Sequence, residues 1–467
     1  MSNAGFKSLD QALSKALDEK ENAAVQRTPI YLIVGLDFGT AYTKCMVRDF
    51  NYRGTNRSVF PVSFAVDGER TFFLPSDVGW MNGQLVHALD GIPQQVPVLT
   101  FLKMALAAAA TGSRSDWLDG VMRPMGMLDS HQQLPCVQAL VAFYLVRVMQ
   151  VVRAYIADRW PDFGTVEGDS LYYNMAVPVA EAREEAVLAG FRRALETAVT
   201  IADRGSDLPR ELDEMTALVE EQEGSAVATC DIIPEVTANV QSYVRSRGGR
   251  KGLYLFADVG AGTVDFSVFI FFSDDGRQAL SYPHAAVEHL GSSQLELRTF
   301  QRSQAEIVRQ VRLLKEGKSQ MGAWSADLAE ELQLTRSELQ QEVFAATEKV
   351  IYYTRRKVRR HQFQTMEILY GGGGWAPSPY ANGVESAFQP RWGLSAVSQP
   401  LPLPNDVDWS GNDGTGLFKR FSVAYGLSSF FPGDPPIQRF PDEIDEIPPG
   451  DDHPRASFPT APSKDEV

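Results

Sequence analysis

One sequence unit occurs twice in this chain of 467 residues, once in each half. The unit is an apolar strand, a turn that begins Asp-x-Gly, and a second apolar strand. The first copy occupies residues 31–47 with Asp37 at its turn, and the second occupies residues 253–271 with Asp258. A chain of this length exceeds the usual size of one hydrophobic core. The repeat therefore predicts an α/β protein with a duplicated domain, in which each copy contributes one of two facing hairpins.

The two turns contain residue types that bind phosphate. Glycine lets backbone N–H groups converge on an anion, and threonine hydroxyls can contact phosphate oxygens. A bare carboxylate would repel a triphosphate, so Asp37 and Asp258 predict a divalent cation, most simply Mg²⁺ held through water. Asp265 would orient a water molecule. One Asp-x-Gly turn is common for geometric reasons, but two matched copies indicate a nucleotide site. The phosphate-binding candidates are Gly39, Thr40, Gly260, Gly262 and Thr263.

These motifs resemble those of the superfamily that contains actin, the DnaK-type (70 kDa heat-shock) chaperones and hexokinase. Residues 35–43 and 257–265 are similar to its two phosphate motifs, and residues 368–374 are similar to its adenosine-contacting glycine pair. The resemblance implies a two-lobed actin-like ATPase fold of duplicated ribonuclease-H-like domains with inserted subdomains, which binds ATP or ADP with Mg²⁺ between the lobes. It also implies nucleotide contacts from Ala41, Tyr42, Lys44, Ala261, Lys315, Gly371, Gly372 and Gly373.

Further segments are similar to the nucleotide-binding domain of the DnaK-type chaperones. Residues 234–238 resemble its Glu-Pro-Thr-Ala-Ala segment, with the first two residues exchanged, and residues 290–293 resemble its Leu-Gly-Gly turn. Residues 334–337 resemble its Thr-Arg helix start, and residues 423–427 resemble its Val-Ala-Tyr-Gly segment. By this resemblance Glu235 lies near the attacking water and Lys103 reaches the γ-phosphate. The expected catalytic residues of this Mg²⁺-dependent ATPase are Asp37, Lys103, Glu235, Asp258 and Asp265.

Three departures from the chaperone pattern shape the expected function. Lys44 stands where actins and plasmid-segregation actins carry a lysine, and Trp375 replaces the chaperones' arginine after the glycine pair. No segment after Gly433 is expected to form the chaperones' peptide-holding β-sandwich. We therefore expect a DnaK-like ATPase switch that hydrolyses ATP slowly and acts on a partner protein through lobe opening and closing. An actin-like filament former, which assembles with itself, and a small-molecule kinase are the alternatives.

Charge and composition narrow the classes of partner. The net charge of −15 disfavours nucleic acid as a partner. Three scattered cysteines are too few for a disulfide framework or a zinc site and fit the reducing cytoplasm. The apolar run at residues 252–272 contains Asp258 and Asp265, so it predicts two buried strands and no membrane span. A basic cluster at residues 355–360 fits either a solvated helix end or a contact with nucleic acid or an acidic neighbour.

The motif positions and local composition give an expected domain organisation. An N-terminal extension with an amphipathic helical pattern occupies residues 1–29, and a disordered acidic, proline-rich tail occupies residues 433–467. Between them lie lobe I at 30–250, with an insertion at about 60–130, and lobe II at 251–432, with an insertion at about 291–364.

Overall fold

The computed structural model describes most of the chain between residues 27 and 439. The described residues are 27–51, 57–66, 68–128, 132–177, 184–205, 208–222, 227–246, 249–274, 277–302, 311, 326–359, 363–374, 379–388, 392, 394–409, 411–412, 414–431 and 437–439. The amphipathic pattern predicted before residue 27, the candidate nucleotide contact Lys315 and the tail beyond residue 439 lie outside them.

The described chain contains both helices and strands, and the strands form mixed sheets, which confirms the α/β class. The strands are β1 (Tyr31–Phe38), β2 (Tyr42–Asp49), β3 (Val59–Pro61), β4 (Phe64–Val66), β5 (Glu69–Thr71), β6 (Leu74–Pro75), β7 (Val78–Met81), β8 (Gln84–His87), β9 (Val98–Leu99), β10 (Ser170–Val177), β11 (Cys230–Pro234), β12 (Gly252–Val259), β13 (Val264–Asp274), β14 (Arg277–Glu288), β15 (Thr365–Gly371), β16 (Ser395–Pro400) and β17 (Ile437–Arg439). The α-helices are α1 (Leu102–Thr111), α2 (Asp116–Met122), α3 (Gln133–Arg159), α4 (Glu185–Arg204), α5 (Leu212–Glu221), α6 (Glu235–Asn239), α7 (Gln241–Val244), α8 (Gln294–Arg302), α9 (Ala326–Arg355), α10 (Pro379–Ser386) and α11 (Gly414–Leu427).

The two large sheets share one strand order. The first has the order β11-β10-β1-β2-β3, with β6 beside β2, and the second has the order β16-β15-β12-β13-β14-β17. In each sheet, three successive strands pair antiparallel and two later strands join in parallel on the other side of the first. The repeated sequence unit is therefore a repeated structural unit, and both of its predicted hairpins are confirmed.

The core of the first sheet is built around helix α3. This helix is long and apolar enough to cross a membrane by composition, yet 78% of its most apolar window is buried inside the protein. It packs on α1, α4 and α5, and burial of residues 136–146 on all sides accounts for its apolar composition. The apolar run at residues 252–272 instead forms β12 and β13, two strands joined by a turn as predicted.

A second core lies between the second sheet and helices α9 and α10. A third core joins residues of both sheets, such as Met46 of β2 and Phe256 of β12, with Phe421 and Tyr425 of α11. Helix α11 therefore packs where the two sheets meet.

Two glycines allow this close packing of α11. A Cβ atom on Gly35 of β1 would lie 1.9 Å from the carbonyl oxygen of Ala424, and one on Gly426 would lie 1.8 Å from that of Ala238 in α6. The backbones meet at distances that no side chain permits. The side-chain amide of Asn174 fixes the end of α11 by donating to the carbonyl of Leu427 (2.9 Å).

The segment at residues 406–408 covers the outer edge of β3. The backbone N–H groups of Ser58 and Val59 both donate to the carbonyl of Asp406 (2.9 Å each), and that of Asp408 donates to the carbonyl of Val59 (2.8 Å). The Asp406 carboxylate pairs with Arg48 (Nη1 to Oδ2, 2.7 Å), which anchors the segment on the first sheet.

Two sequence expectations are wrong in detail. The composition predicts a disordered tail from residue 433, but Ile437–Arg439 forms β17 and pairs with β14. Backbone pairing to a distant strand orders this stretch, and local composition does not reveal such pairing. The segment at residues 334–337, which resembles a helix start, lies inside α9 because that helix begins at Ala326.

Candidate functional site

A cleft of about 890 Å³ is lined by both Asp-x-Gly turns and by α1, α6, α8 and α11. The structure brings together in it the predicted residues Asp37, Gly39, Thr40, Ala41, Tyr42, Lys44, Lys103, Glu235, Asp258, Gly260, Ala261, Thr263, Asp265, Gly372 and Gly373. Gly262 and Gly371 do not line it. A Cβ atom on Gly262 would lie 3.1 Å from Cγ2 of Thr40, and one on Gly371 would lie 2.6 Å from the Phe256 ring, so both glycines permit packing.

Strand register places the acidic residues of the two hairpins at the cleft. In the first hairpin Asp37 lies opposite Lys44, and these two side chains form an ion pair. In the second hairpin Asp258 lies opposite Asp265. Two like charges on facing strand positions destabilise a sheet unless a cation or a proton compensates them.

The second pair of carboxylates has raised proton affinity. Burial raises the pKa of Asp258 to about 7, and the negative charge of Glu235 is the second cause of this increase. A hydrogen bond from Asn239 (Nδ2 to Oδ2, 2.5 Å) acts in the opposite direction and lowers the pKa. Burial and the charges of Glu235 and Asp258 raise the pKa of Asp265 well above its usual value. In the described part of the chain, Oδ1 of Asp265 is buried without a hydrogen-bond partner. Buried polar atoms nearly always have a partner, so this oxygen indicates a place for a cation or an ordered water.

Lys103 and Glu235 form a buried ion pair on the first-sheet side of the cleft. Nζ of Lys103 donates to Oε1 of Glu235 at 2.6 Å, and the two side chains are only 4% and 11% exposed. Burial lowers the pKa of Lys103, but the charges of Glu235 and Asp37 outweigh it and raise that pKa overall. The amine is therefore held as an ammonium ion, as a group that stabilises phosphate charge must be.

Glycines shape the wall opposite the first hairpin. Gly372 has a left-handed φ of 81°, and a Cβ atom there would lie 2.4 Å from Oδ1 of Asp258. A Cβ atom on Gly291 would lie 2.3 Å from the carbonyl carbon of Gly262. Gly291 and the next two residues donate backbone hydrogen bonds to the carbonyls of the second turn. Only glycine fits at these two positions.

Several cleft residues were not identified as site residues from the sequence. Ser292, Ser293 and Glu296 come from the start of α8 and the turn before it, and Lys419 and Arg420 come from α11. The Arg420 guanidinium lies 3.6 Å from the Phe73 ring centroid, and its Nε is 3.0 Å from the Cβ position of Gly373. The sequence does contain an indication of Lys419. This residue precedes Val423 of the Val-Ala-Tyr-Gly segment by four positions, so the two lie on the same face of a helix.

The described residues contain no group of three or more His, Cys, Asp or Glu side chains arranged to hold a metal ion by themselves. A cation held at Asp37 and Asp258 would therefore take other ligands from water or from a bound anion, as Mg²⁺ characteristically does. The basic residues at 355–359 lie outside the cleft at the end of α9. There the Arg356 guanidinium lies 6.0 Å from the Tyr352 ring centroid.

No protein-family model matches this chain, and no curated protein sequence matches it either.

Proposed function

We propose that this protein is an ATP-binding, slowly hydrolysing switch with a two-lobed actin-like fold, similar to the nucleotide-binding domain of DnaK-type chaperones. The observation that carries the proposal is the convergence of two matched hairpins on one cleft, with Asp37 at one turn and Asp258 and Asp265 at the other. The shared strand order of the two large sheets supports a duplicated ribonuclease-H-like domain as its origin.

The residues of the cleft fit a Mg²⁺-bound triphosphate in two respects. Oδ1 of Asp265 is a buried acceptor without a partner in the described chain, and the positions of Gly291 and Gly372 leave room only for backbone beside the second turn. Asp37 and Asp258 would hold Mg²⁺ through water, and the ion would supply positive charge that offsets the phosphate charge. The backbone N–H groups and threonine hydroxyls of the two turns would hold the phosphates.

Several polar side chains at the cleft have separate roles in the proposed hydrolysis. Lys103 keeps a positive charge in a buried place, where it stabilises negative charge developing on the phosphoryl group. Glu235 holds the lysine in position and, with Asp265, orients the attacking water. Asn239 orients Asp258 through its amide, and Ser422 of α11 in turn donates to Asn239 (2.6 Å). Because α11 reaches both sheets, closure of the cleft on ATP would be transmitted through it to a partner protein.

The first test measures the Mg²⁺ dependence of ATP binding in an Asp258→Asn variant. The substitution keeps the side-chain shape but removes the charge, so we expect Mg-ATP affinity at pH 8 to fall at least about tenfold. Titration calorimetry with Mg²⁺ and with EDTA gives the two affinities. Asp158→Asn, at an exposed position of α3, is the matched control and should bind like the wild type. Equal Mg-ATP affinity of Asp258→Asn and the wild type would contradict the proposal.

The raised pKa of Asp258 predicts a pH dependence of the same binding. A cation binds the ionised carboxylate, so protonation of Asp258 competes with Mg²⁺. Because the pKa is about 7, the ionised form is scarce at pH 6 and dominant at pH 8. We expect the Mg²⁺-dependent gain in ATP affinity to increase by up to about tenfold across this interval. The Asp258→Asn variant should lose this pH dependence. If the Mg²⁺-dependent gain in ATP affinity of the wild type does not change with pH, the prediction is contradicted.

An actin-like filament-forming ATPase is the second candidate, favoured by the position of Lys44 beside Asp37 in the cleft. High-speed sedimentation with Mg-ATP, with Mg-ADP and without nucleotide separates the two functions. Pelleting only with ATP would support filament formation. A protein that stays in the supernatant in all three conditions would support the soluble switch.

A further inference from the structure

One cleft residue has an unusual backbone conformation. Phe101 lies in the left-handed helical region, with φ 59° and ψ 31°. Among the described residues the other non-glycine residue with positive φ is Asn82, which precedes Gly83 in the turn between β7 and β8. Asparagine tolerates that conformation in a hairpin turn, whereas an aromatic residue there is a true outlier. Such outliers persist only where surrounding structure enforces them, and they cluster at functional sites.

The outlier sets the start of the helix that contains Lys103. Strand β9 ends at Leu99, and α1 begins at Leu102 with Phe101 as its N-cap residue. The carbonyl of Phe101 accepts the N–H of Ala105 (3.0 Å), although no side chain caps the helix. The left-handed corner therefore fixes the direction in which α1 leaves β9. Lys103, in the first turn, is thereby buried against Glu235.

An aromatic contact supports the corner from outside the cleft. The ring centroids of Phe101 and Trp117 lie 4.5 Å apart, with the planes inclined by 48°. Trp117 belongs to α2, whose own start is capped by the Ser115 hydroxyl, which accepts the N–H of Leu118 (3.2 Å). Phe101 lines the cleft and Trp117 does not, so the pair connects the α2 surface to the site.

We propose that Phe101 is a positioning residue for Lys103: its left-handed conformation, held by the ring of Trp117, directs the lysine toward Glu235 and the cleft. The consequence for hydrolysis rests on the proposed ATPase function, but the positioning itself does not.

The decisive experiment measures the reactivity of Lys103 toward an amine-acylating N-hydroxysuccinimide ester, followed by peptide mass spectrometry without nucleotide. Phe101→Gly removes the ring and lets the residue adopt positive or negative φ about equally, so nothing holds the corner, and Trp117→Ala removes the support. We expect Lys103 to react at least fivefold faster in both variants and at the wild-type rate in Trp117→Phe. Lys349, an exposed residue of α9, should react equally in all four proteins. Unchanged reactivity of Lys103 in both variants would overturn the proposal.

Hydrolysis kinetics and thermal melting of the same variants complete the test. Because Phe101→Gly relieves backbone strain, that variant should remain folded, which thermal melting checks. If Lys103 acts on the transition state, kcat for ATP falls in Phe101→Gly and Trp117→Ala with KM little changed, and Trp117→Phe restores it. An increase in KM with kcat unchanged would overturn the positioning role. A different result would contradict the proposed function alone. In that case Lys103 is labelled faster in the variants, but the wild type does not hydrolyse ATP, and the positioning role stands.

Discussion

Replacing Lys103 with methionine is expected to lower the free energy of unfolding by about 3–5 kcal/mol, because the change leaves the buried Glu235 carboxylate without its partner. The lost hydrogen bond is short, and both side chains are almost fully buried, so little else in the structure compensates the charge of the carboxylate. Urea denaturation monitored by circular dichroism measures the effect. The same variant should lose about 10²–10³ in kcat for ATP, since a preorganised cation is missing from the transition state.

Two comparisons separate this effect from a general loss of packing. The double variant Lys103→Met/Glu235→Gln removes both charges, and we expect it to recover most of the lost stability. Arg153→Met breaks the more exposed pair with Asp203, which should change stability by less than about 1 kcal/mol. If Lys103→Met costs no more than Arg153→Met, the buried pair does not have the energetic role assigned to it.

The second large effect is expected at the glycine where α11 meets α6. Alanine is the better helix former by about 1 kcal/mol, so propensity alone predicts that Gly426→Ala stabilises the protein. The added Cβ atom would, however, lie 1.8 Å from the carbonyl oxygen of Ala238, and neither backbone can move without disturbing the core between the sheets. We therefore expect a loss of about 3 kcal/mol or more in the free energy of unfolding.

A matched control for Gly426 lies in α2. A Cβ atom on Gly120 would meet no atom within 4 Å, so Gly120→Ala should keep the propensity gain and stabilise the protein by up to about 1 kcal/mol. Thermal and urea unfolding of the two variants should therefore shift in opposite directions. Stabilisation by both would mean that α11 and α6 are less closely packed than their backbones indicate.

The hairpins could be predicted because each forms from segments adjacent in sequence. Strand, turn and strand follow one another, so the turn fixes the register that places Asp258 opposite Asp265. The pairing of Lys103 with Glu235 could not be derived in this way, because 132 residues separate them. Their meeting depends on how α1 and α6 pack around the first sheet, and resemblance alone pointed to their roles.

The cation beside the glycine turn shows a different limit. Directly after the glycines, where the DnaK-type chaperones have an arginine, the sequence has Trp375. In the structure Arg420 reaches Gly373 from α11, a helix later in the chain. Tertiary packing can therefore supply a side chain from a position that local motif spacing does not specify.

The covered edge of β3 restricts how copies of this protein can associate. Open strand edges attract strands of other chains, and β3 is the outermost strand on its side of the first sheet. Its backbone groups already bond to residues 406–408, and the ion pair of Arg48 with Asp406 holds that segment in place. A second molecule could extend the sheet there only by displacing this segment. Assembly through the β3 edge is therefore blocked, and copies that associate on this side would meet through side-chain surfaces instead of a continuous β-sheet.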